Sequence, residues 1–356
     1  MHDIYPKNRC TMHIFKKICL KTFLFLSIFF SISLNTFVEK LFYTTIEITD
    51  QRVLTLINSQ AFQRLYNIAQ YGIDPVVLPD RQHTKVYNRA NHSLGVYWLL
   101  NRYNAPFEEQ IAGLGHDLSH TTHSHVGDKI FKHKDGKSSY QDDHHLEFLS
   151  ETDLPEIFKS LNIPFQVLDH KNPAYTCLED DLPNGCADRI EYNLAGGVLE
   201  KLITPEEAMA ILDHLKFESN RWYFTDVYHA KKFASISLWH TEFVWGSQMS
   251  NYVSEELAQA IRYAYEHDIL SLDDIKHGTD DLVWNRLCSC NNAQVNIHVQ
   301  KILDAHNHQD EINATPRNNK FRGINPWVQV GDTFKRLTEV DQDFKNEYER
   351  VKAGSY

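Results

Sequence analysis

The sequence predicts a mainly α-helical fold with a few short strands, and three observations support this class. Apolar residues recur at helical spacing in successive segments along the chain. The 356 residues are enough to bury a substantial core, and no internal repeat or long linker divides them. Hydrophobic residues make up 42 % and charged residues 23 % of the chain, which is typical of a globular enzyme.

The helical signals begin after one strand and continue to the end of the chain. Residues 42–49 (FYTTIEIT) alternate between polar and apolar as a half-buried strand does. From residue 51 an apolar pattern of helical period runs to Gly72, which closes it. The same reasoning predicts helices over residues 92–103, 106–118, 144–150, 184–203, 205–216, 228–240, 254–266 and 292–305. We assign residues 39–311 to one main domain and residues 312–356 to a C-terminal extension with short strands and a charged helix.

Residues 1–38 form an apolar N-terminal segment that departs from this pattern. Its uninterrupted apolar part, within residues 18–34, is shorter than the run of about 20 residues that a membrane span requires. Three interpretations stay open: a signal peptide, an uncleaved anchor in contact with a membrane, and a mis-assigned start. The first two predict an exported or anchored protein, and the third predicts a cytoplasmic one.

The net charge and the cysteine spacing disfavour a nucleic-acid-binding protein and a zinc ribbon. The net charge of −11 disfavours stable binding to nucleic acid, so an anionic substrate must be held by local cations or by a metal ion. The six cysteines are scattered without a paired CxxC motif, which disfavours a zinc ribbon. Free thiols are the simpler interpretation, and a disulfide between Cys177 and Cys186 is the alternative for an exported protein.

The segment HDLSHTTHSH, residues 116–125, concentrates histidine at the end of a predicted helix. Histidine and carboxylate side chains together are suitable ligands for divalent metal ions. Two adjacent helices joined by a short loop pack antiparallel, so the start of the helix over 92–103 is expected beside the end of the next one. We therefore expect His92 to lie beside His116 and Asp117.

Three segments carry a family resemblance: NRANHSLGV, IAGLGHDLSHTTHSHVGD and CADRIEY. They closely resemble the HD-domain phosphohydrolase superfamily, whose metal ligands follow the order H…HD…D. The segment FQRLYNIAQYG resembles the dNTP triphosphohydrolase branch, which includes the sterile-alpha-motif/HD enzymes. The resemblance is dense over residues 50–130 and recurs at 183–193. It implies an HD-domain helical bundle and a metal-dependent phosphohydrolase that cleaves a phosphoester or phosphoanhydride bond of a nucleotide by attack of metal-activated water.

The resemblance also implies roles for individual residues. The implied metal ligands are His92, His116, Asp117 and Asp188, holding one divalent ion that the ligand set leaves open among Mn, Fe, Mg, Co, Ni and Zn. The implied catalytic residues are His120, His125, Asp128 and His145, with His144 as the alternative to His145. The implied substrate-binding residues are Gln70, Arg89, Arg189 and Tyr192. His120 follows His116 by four residues, so a continued helix would keep both on one face. We expect His123 to be a solvated loop histidine.

The chain also departs from the dNTP branch on the substrate side. Ala195 and Gly196 stand where that branch has an Arg-Asp pair whose acid holds the 3′-hydroxyl. Residues 235–252 (SISLWHTEFVWGSQMSNY) contain no Arg or Lys, whereas the comparable helix of the branch binds the triphosphate with basic residues. The residues for phosphoester hydrolysis are thus retained, and those for a deoxyribose triphosphate are fewer.

Two other functions remain as alternatives. One is a non-catalytic HD regulatory module that binds a metal and a nucleotide, which the complete ligand set disfavours. The other is a two-iron oxygenase, for which His120 and His145 would be the additional ligands. The sequence leaves open whether the chain is a monomer or a homo-oligomer, although relatives of this branch often assemble.

Overall fold

The computed structural model of the protein describes residues 36–131, 139–316 and 321–354. The apolar segment at residues 18–34 therefore lies outside the described residues. Within the described part, none of the helices combines the length and the apolar character that crossing a bilayer requires.

Helices dominate these residues, so the predicted mainly α class is confirmed. The first nine helices are α1 (Gln51–Ile57), α2 (Gln60–Arg64), α3 (Asp74–Val77), α4 (Arg89–Arg102), α5 (Phe107–Gly115), α6 (Val126–Ile130), α7 (Tyr140–Asp143), α8 (His145–Ser150) and α9 (Leu154–Leu161). They are followed by α10 (Ala187–Leu199), α11 (Pro205–Asp213), α12 (Val227–His240), α13 (Gln248–Glu266), α14 (Leu272–Lys276), α15 (Asp280–Ser289), α16 (Ala293–Leu303), α17 (Gln309–Asn313), α18 (Leu337–Val340) and α19 (Gln342–Ala353). Turns of 3₁₀ helix span Leu65–Asn67, Pro79–Val86, Phe165–Leu168 and Ala305–His308, and Thr241–Trp245 is a π-helical turn.

Two small sheets accompany the helices. Strands β1 (Phe37–Lys40) and β2 (Thr45–Ile48) form an antiparallel pair, in which Phe37 lies opposite Ile48. The second sheet contains β3 (Leu215–Glu218), β4 (Arg221–Phe224), β5 (Trp327–Val330) and β6 (Thr333–Arg336), in that order. Its two hairpins are antiparallel, and β4 and β5 join them as a parallel pair with Phe224 opposite Val328.

Helix α4 lies at the centre of the packing. Leu99 and Val96 belong to the hydrophobic cluster that contains α10 and α12, whereas Leu94 belongs to the cluster that contains α1 and α5. A third cluster joins α6, α13, α15 and α16. Because α4 is covered on nearly all sides, its polar residues are held in fixed positions within the protein interior.

The C-terminal extension predicted at residues 312–356 packs into this core. Besides the β4–β5 pairing, Phe344 and Tyr348 of α19 belong to the same buried cluster as Phe233 of α12. The boundary at residue 311 stays a prediction, since the extension and the main domain share hydrophobic packing.

Several predicted elements differ in detail from the structure. The helical pattern from residue 51 to Gly72 is divided between α1, α2 and a 3₁₀ turn, because Ser59 has extended backbone angles and caps α2 by accepting from the Phe62 amide. The helix over residues 106–118 ends at Gly115, and a turn follows. The hairpin β3–β4 was not predicted, since its strands are four residues long and follow a helix directly. The four described cysteines are free thiols.

One buried acid links two helices of the fold. Asp74 of α3 is 4 % exposed and accepts a hydrogen bond from the Ser250 hydroxyl of α13. Burial raises the pKa of Asp74 to about 6, although the Ser250 hydrogen bond and the charge of Arg81 act in the opposite direction.

We predict that Phe344→Ala destabilises the whole protein, because this ring is 1 % exposed within the shared core. Removing a buried Phe side chain costs about 3–5 kcal/mol. The matched control is Phe334→Ala in β6, whose ring is 38 % exposed and for which we expect a loss of about 1 kcal/mol. Urea unfolding measures both values, and similar small losses would show that α19 is not part of the cooperative core.

We predict that Asp74 makes the stability depend on pH. The folded pKa lies above the unfolded value, so the contribution of Asp74 is complete below about pH 4 and is lost as the pH rises through about 6. The loss amounts to about 3 kcal/mol at about 1.4 kcal/mol per pKa unit. The measurement is the free energy of unfolding of the wild type minus that of Asp74→Asn, from pH 4 to 8. A difference that stays flat or increases with pH would contradict this assignment.

Candidate metal centre and its pocket

Three helices bring four potential metal ligands together. His92 lies on α4, His116 and Asp117 follow α5 directly, and Asp188 lies in the first turn of α10. Nε2 of His92 is 3.1 Å from Nε2 of His116 and 2.9 Å from a carboxylate oxygen of Asp188. One carboxylate oxygen of Asp117 lies 3.6 Å from Nε2 of His92, and its other oxygen lies 3.6 Å from Nε2 of His116. The structure thus places His92 beside His116 and Asp117, where the antiparallel packing of α4 and α5 predicts it.

The opposite ring nitrogen of each histidine is fixed by a hydrogen bond. Nδ1 of His116 lies 2.7 Å from the carbonyl oxygen of Gly113, which can only accept, so this nitrogen carries the proton. Nδ1 of His92 contacts the buried carboxylate of Glu191, which also accepts from the Tyr87 hydroxyl at 2.6 Å. In the neutral rings both Nε2 atoms therefore present lone pairs toward each other and toward the carboxylates.

The carboxylates around the two histidine rings favour a positive charge among the four candidate ligands. Burial lowers the pKa of His92, but the carboxylates of Glu191, Asp188 and Asp117 outweigh it and raise the pKa to about 10. Burial also opposes ionisation of Asp117, but Arg89 and His116 hold its pKa well below the usual range. A divalent cation would neutralise this negative potential, so these donors fit a metal ion.

Other described residues also offer converging donor atoms. These are Glu179 with Cys186 and Asp188, and the half-buried set of His214, Asp226 and His229. The first set shares Asp188 with the centre described above, and Glu179 also lines the pocket beside it.

His120, His125 and Asp128 lie on the side of the centre that Asp117 faces. Nε2 of His120 is 3.1 Å from a carboxylate oxygen of Asp117, and its ring meets that of His125 edge to face at 5.0 Å. Nδ1 of His125 is 3.1 Å from Asp128, which also accepts from the amide of Tyr140. Burial raises the pKa of Asp128, but its hydrogen bonds from His125 and Tyr140 lower it to about 2. The three side chains line one pocket.

The path from His116 to His120 differs from the predicted helix. The amide of His120 donates to the carbonyl of Asp117, three residues earlier, as in a turn. The side chain of His120 nevertheless reaches Asp117, because the turn folds back toward the end of α5.

His145 and His144 lie outside the pocket lining, whereas His123 is part of it. His145 is buried, and its ring nitrogens lie 2.7 Å from the Ser119 hydroxyl and 3.0 Å from the Leu168 carbonyl, so it is not brought to the pocket wall. His144 is partly exposed beside Glu147. The expectation that His123 is solvated is wrong, since its side chain is buried with Nδ1 3.9 Å from Asp280.

Two buried charges hold the histidine-rich loop in place. The Arg64 guanidinium donates to the carbonyls of Leu118 and His120 at 3.1 Å and 2.6 Å. Asp280, at the start of α15, accepts from the amide of His123 at 2.6 Å and from that of Ala69 at 2.8 Å. The loop is therefore held less by helical or strand hydrogen bonds than by charged side chains from segments distant in the sequence.

The pocket beside the centre has a volume of about 770 Å³ and is lined by all four predicted substrate-binding residues. Arg89 donates to Asp117 at 2.8 Å and to the Ser124 hydroxyl at 3.1 Å, and Gln70 has a buried side-chain oxygen without a hydrogen bond to the described residues. Arg189 donates to the carbonyl of Asp180. The Tyr192 ring lies 6.4 Å from that of His92, between centroids.

Other residues of the metal centre and the pocket were not identified from the sequence. Glu191 follows Asp188 by three residues on α10, and this helical spacing was the signal that could have revealed it. Tyr71, Tyr192 and Trp245 form an aromatic wall of the pocket. The ring centroid of Trp245 lies 5.3 Å from that of Tyr71 and 5.8 Å from that of Tyr192. Arg322 lines the pocket from the C-terminal extension, and no local signal in the sequence indicates this.

At the predicted departure from the dNTP branch, Gly196 faces two buried polar groups. A Cβ atom at Gly196 would lie 2.8 Å from Nε2 of His240 and 3.1 Å from the Tyr71 hydroxyl. Neither of these atoms has a hydrogen-bond partner among the described residues. This part of the wall therefore has hydrogen-bonding capacity, but no carboxylate at position 196.

No protein-family model matches the chain. The chain is 29 % identical over 313 residues to the uncharacterized protein YdhJ of Bacillus subtilis, covering 85 % of this chain and 92 % of YdhJ. It is 33 % identical over 171 residues to the metal-dependent phosphohydrolase cns2 of Cordyceps militaris, which is 48 % of each protein. It is also 36 % identical over 94 residues to the deoxynucleoside triphosphate triphosphohydrolase SAMHD1 of Bos taurus, covering 22 % of this chain and 15 % of that protein.

A solved structure of a phosphohydrolase from Bacteroides thetaiotaomicron is similar in fold, with a TM-score of 0.63 at 16 % identity. The similarity covers 86 % of this chain and 94 % of the other. The relatives named as phosphohydrolases support the resemblance to HD-type metal-dependent phosphohydrolases, and the solved structure shows that the fold is shared.

Proposed function

We propose that the protein hydrolyses a phosphoester or phosphoanhydride bond of a small nucleotide and depends on a divalent metal ion. The observation that carries this proposal is the convergence of the His92 and His116 Nε2 atoms with the carboxylates of Asp117 and Asp188. His116, Asp117 and Asp188 line a pocket that also presents Arg89 and His120. The named phosphohydrolases among the relatives support the same reaction class.

The residues that would hold the ion are His92, His116, Asp117 and Asp188. The chemistry supplied by a bound divalent ion is a coordinated water of lowered pKa and a positive charge beside the phosphate. Glu191 and the Gly113 carbonyl hold the proton of each neutral ring on Nδ1, so that Nε2 is the atom that can act as a ligand.

The remaining polar residues would act on the substrate itself. Arg89 is held rigidly by Asp117 and Ser124, and its guanidinium would offset the negative charge that develops on the phosphoryl oxygens. His120 would form a hydrogen bond to the same phosphate. His125 is oriented by Asp128 and is half exposed, so it can exchange a proton with solvent and pass it to the leaving oxygen.

The aromatic wall supports a substrate with a planar or ring-shaped part. Tyr71, Tyr192 and Trp245 offer flat apolar surface beside the phosphate end, and such surface suits a sugar or a base. The unsatisfied side-chain oxygen of Gln70 can accept a hydrogen bond from a sugar hydroxyl. A nucleotide combines these features with a phosphate.

We predict that Asp117→Asn and His120→Ala separate metal binding from turnover. Asp117→Asn removes a ligand charge while keeping the shape beside Arg89, so metal binding and turnover are both expected to be lost. His120→Ala is expected to keep the metal and to lower kcat about 100- to 10,000-fold. Phosphate release and metal content are measured on the full chain with Mn, Co, Mg, Fe, Ni and Zn, against nucleoside mono-, di- and triphosphates and an aryl phosphate.

His144→Ala is the matched control, since this histidine is partly exposed and lies outside the pocket lining. It is expected to retain wild-type turnover. Bound metal without phosphate release from any of these substrates would contradict the proposed hydrolysis, and loss of metal from His120→Ala would contradict its separate role.

We predict that Glu191→Gln weakens metal binding about 10- to 100-fold, because it removes the charge that orients and polarises His92. At saturating metal, turnover should largely return. Titration with a competing chelator measures the affinity. Tyr103→Phe is the control, since its hydroxyl donates to the Leu212 carbonyl instead. Unchanged affinity in Glu191→Gln would exclude a positioning role for this carboxylate.

A further inference from the structure

The pocket contains one arginine whose charge has no partner in the described structure. Of the other basic residues that line it, Arg89 pairs with Asp117 and Lys129 lies 3.4 Å from Glu255. Lys171 lies 3.4 Å from Asp143, and Arg189 donates to backbone carbonyls. Over residues 36–131, 139–316 and 321–354, no hydrogen bond or ion pair involves the guanidinium of Arg322.

The backbone that carries Arg322 is firmly anchored. The Ser237 hydroxyl of α12 donates to the Arg322 carbonyl at 3.4 Å and accepts from the Ile324 amide at 3.1 Å. Ile324 is fully buried, and the amide of Asn325 donates to the Pro183 carbonyl at 3.0 Å. A half-buried arginine on such a rigid segment is not simply a mobile surface side chain.

Arg322 lies on the aromatic side of the pocket. Its backbone is held by Ser237 of α12, and the turn that follows this helix carries Trp245. Tyr192 in turn lies between the metal centre and Trp245. Arg322 therefore joins the pocket lining from the segment packed on α12, on the side of Trp245, and not from the helices that carry the candidate metal ligands.

The neighbouring wall supplies no positive charge. Residues 235–252 contribute Val244, Trp245, Ser250 and Asn251 to the lining, and this stretch contains no Arg or Lys. The cation at this end of the pocket comes instead from the C-terminal extension, which packs on α12 through Ser237. An unpaired, half-buried guanidinium facing a ligand pocket is suited to a phosphate, which it can bind through two hydrogen bonds.

We propose that Arg322 binds a second phosphate of the substrate, distinct from the phosphate that is cleaved at the metal centre. The substrate class is therefore a nucleoside or sugar that carries two separate phosphoryl groups. This assignment rests on the proposed phosphohydrolase function. It makes Arg322 a residue that determines specificity and leaves the cleavage chemistry to the residues around His92.

The test compares Arg322→Gln with the wild type on an aryl phosphate, a nucleoside 5′-monophosphate and the corresponding nucleoside 3′,5′-bisphosphate. For the bisphosphate we expect KM to increase at least tenfold, with kcat within about twofold of the wild type. For the aryl phosphate both constants should be unchanged. Arg322→Lys, which keeps the charge but not the paired hydrogen bonds, should fall between. Arg221→Gln, at the exposed first residue of β4, is the control and should match the wild type on every substrate.

A direct binding measurement keeps the two proposals separable. Calorimetric titration of the metal-free protein with the bisphosphate should show at least tenfold weaker binding to Arg322→Gln. If the wild type hydrolyses an aryl phosphate but Arg322→Gln binds and hydrolyses the bisphosphate equally well, this inference fails and the proposed function stands. If no phosphoester is hydrolysed but binding depends on Arg322, the function fails and the anion site stands. No binding of the bisphosphate to the wild type would overturn the inference.

Discussion

The structure of the site depends on the approach of two histidine nitrogens that both present lone pairs when their rings are neutral. Nε2 of His92 and Nε2 of His116 lie 3.1 Å apart in the protein interior, with carboxylates around them. Such a cluster of acceptors is costly to bury without a positive charge between them. It also requires close helix packing: Gly95 of α4 leaves room for the Glu191 side chain, and Gly113 of α5 leaves room for Leu100. The arrangement of the site therefore depends on the buried position of α4, as the packing of the core does.

The rest of the site lies in the histidine-rich loop that follows α5. Different interactions fix the positions of the side chains in this loop. His123 and Ser124 both have left-handed backbone angles, with φ near 57° and 56°, which is unfavourable for residues with side chains. The charges of Arg64 and Asp280 satisfy the backbone groups of this loop and hold its geometry. Burial lowers the pKa of Arg64 to about 10, so the guanidinium stays charged at neutral pH. The loop thus combines strain with rigidity, which suits residues that must meet a substrate at fixed distances.

The sequence predicted the helices and the convergence of His92 with His116 and Asp117 better than the far wall of the pocket, for physical reasons. Helical periodicity and the antiparallel packing of α4 and α5 are local, so they place His92 near His116 without further information. The helical pattern from residue 51 to Gly72 is divided because Ser59 caps α2, and the spacing of apolar residues carries no signal of that cap. The burial of His123 depends on Asp280, over 150 residues away along the chain. Arg322 joins the pocket only through tertiary packing on α12.

These differences suggest how chemistry and specificity are divided within the fold. The candidate metal ligands belong to α4, the end of α5 and α10, which pack directly on one another and leave little freedom for change. The pocket wall opposite comes from the stretch that joins α12 to α13 and from the C-terminal extension, which meet at Ser237. The positive charge on this wall comes from Arg322 of the extension and not from residues 235–252. The charge offered to the substrate at this end is therefore set by a segment that carries none of the candidate metal ligands.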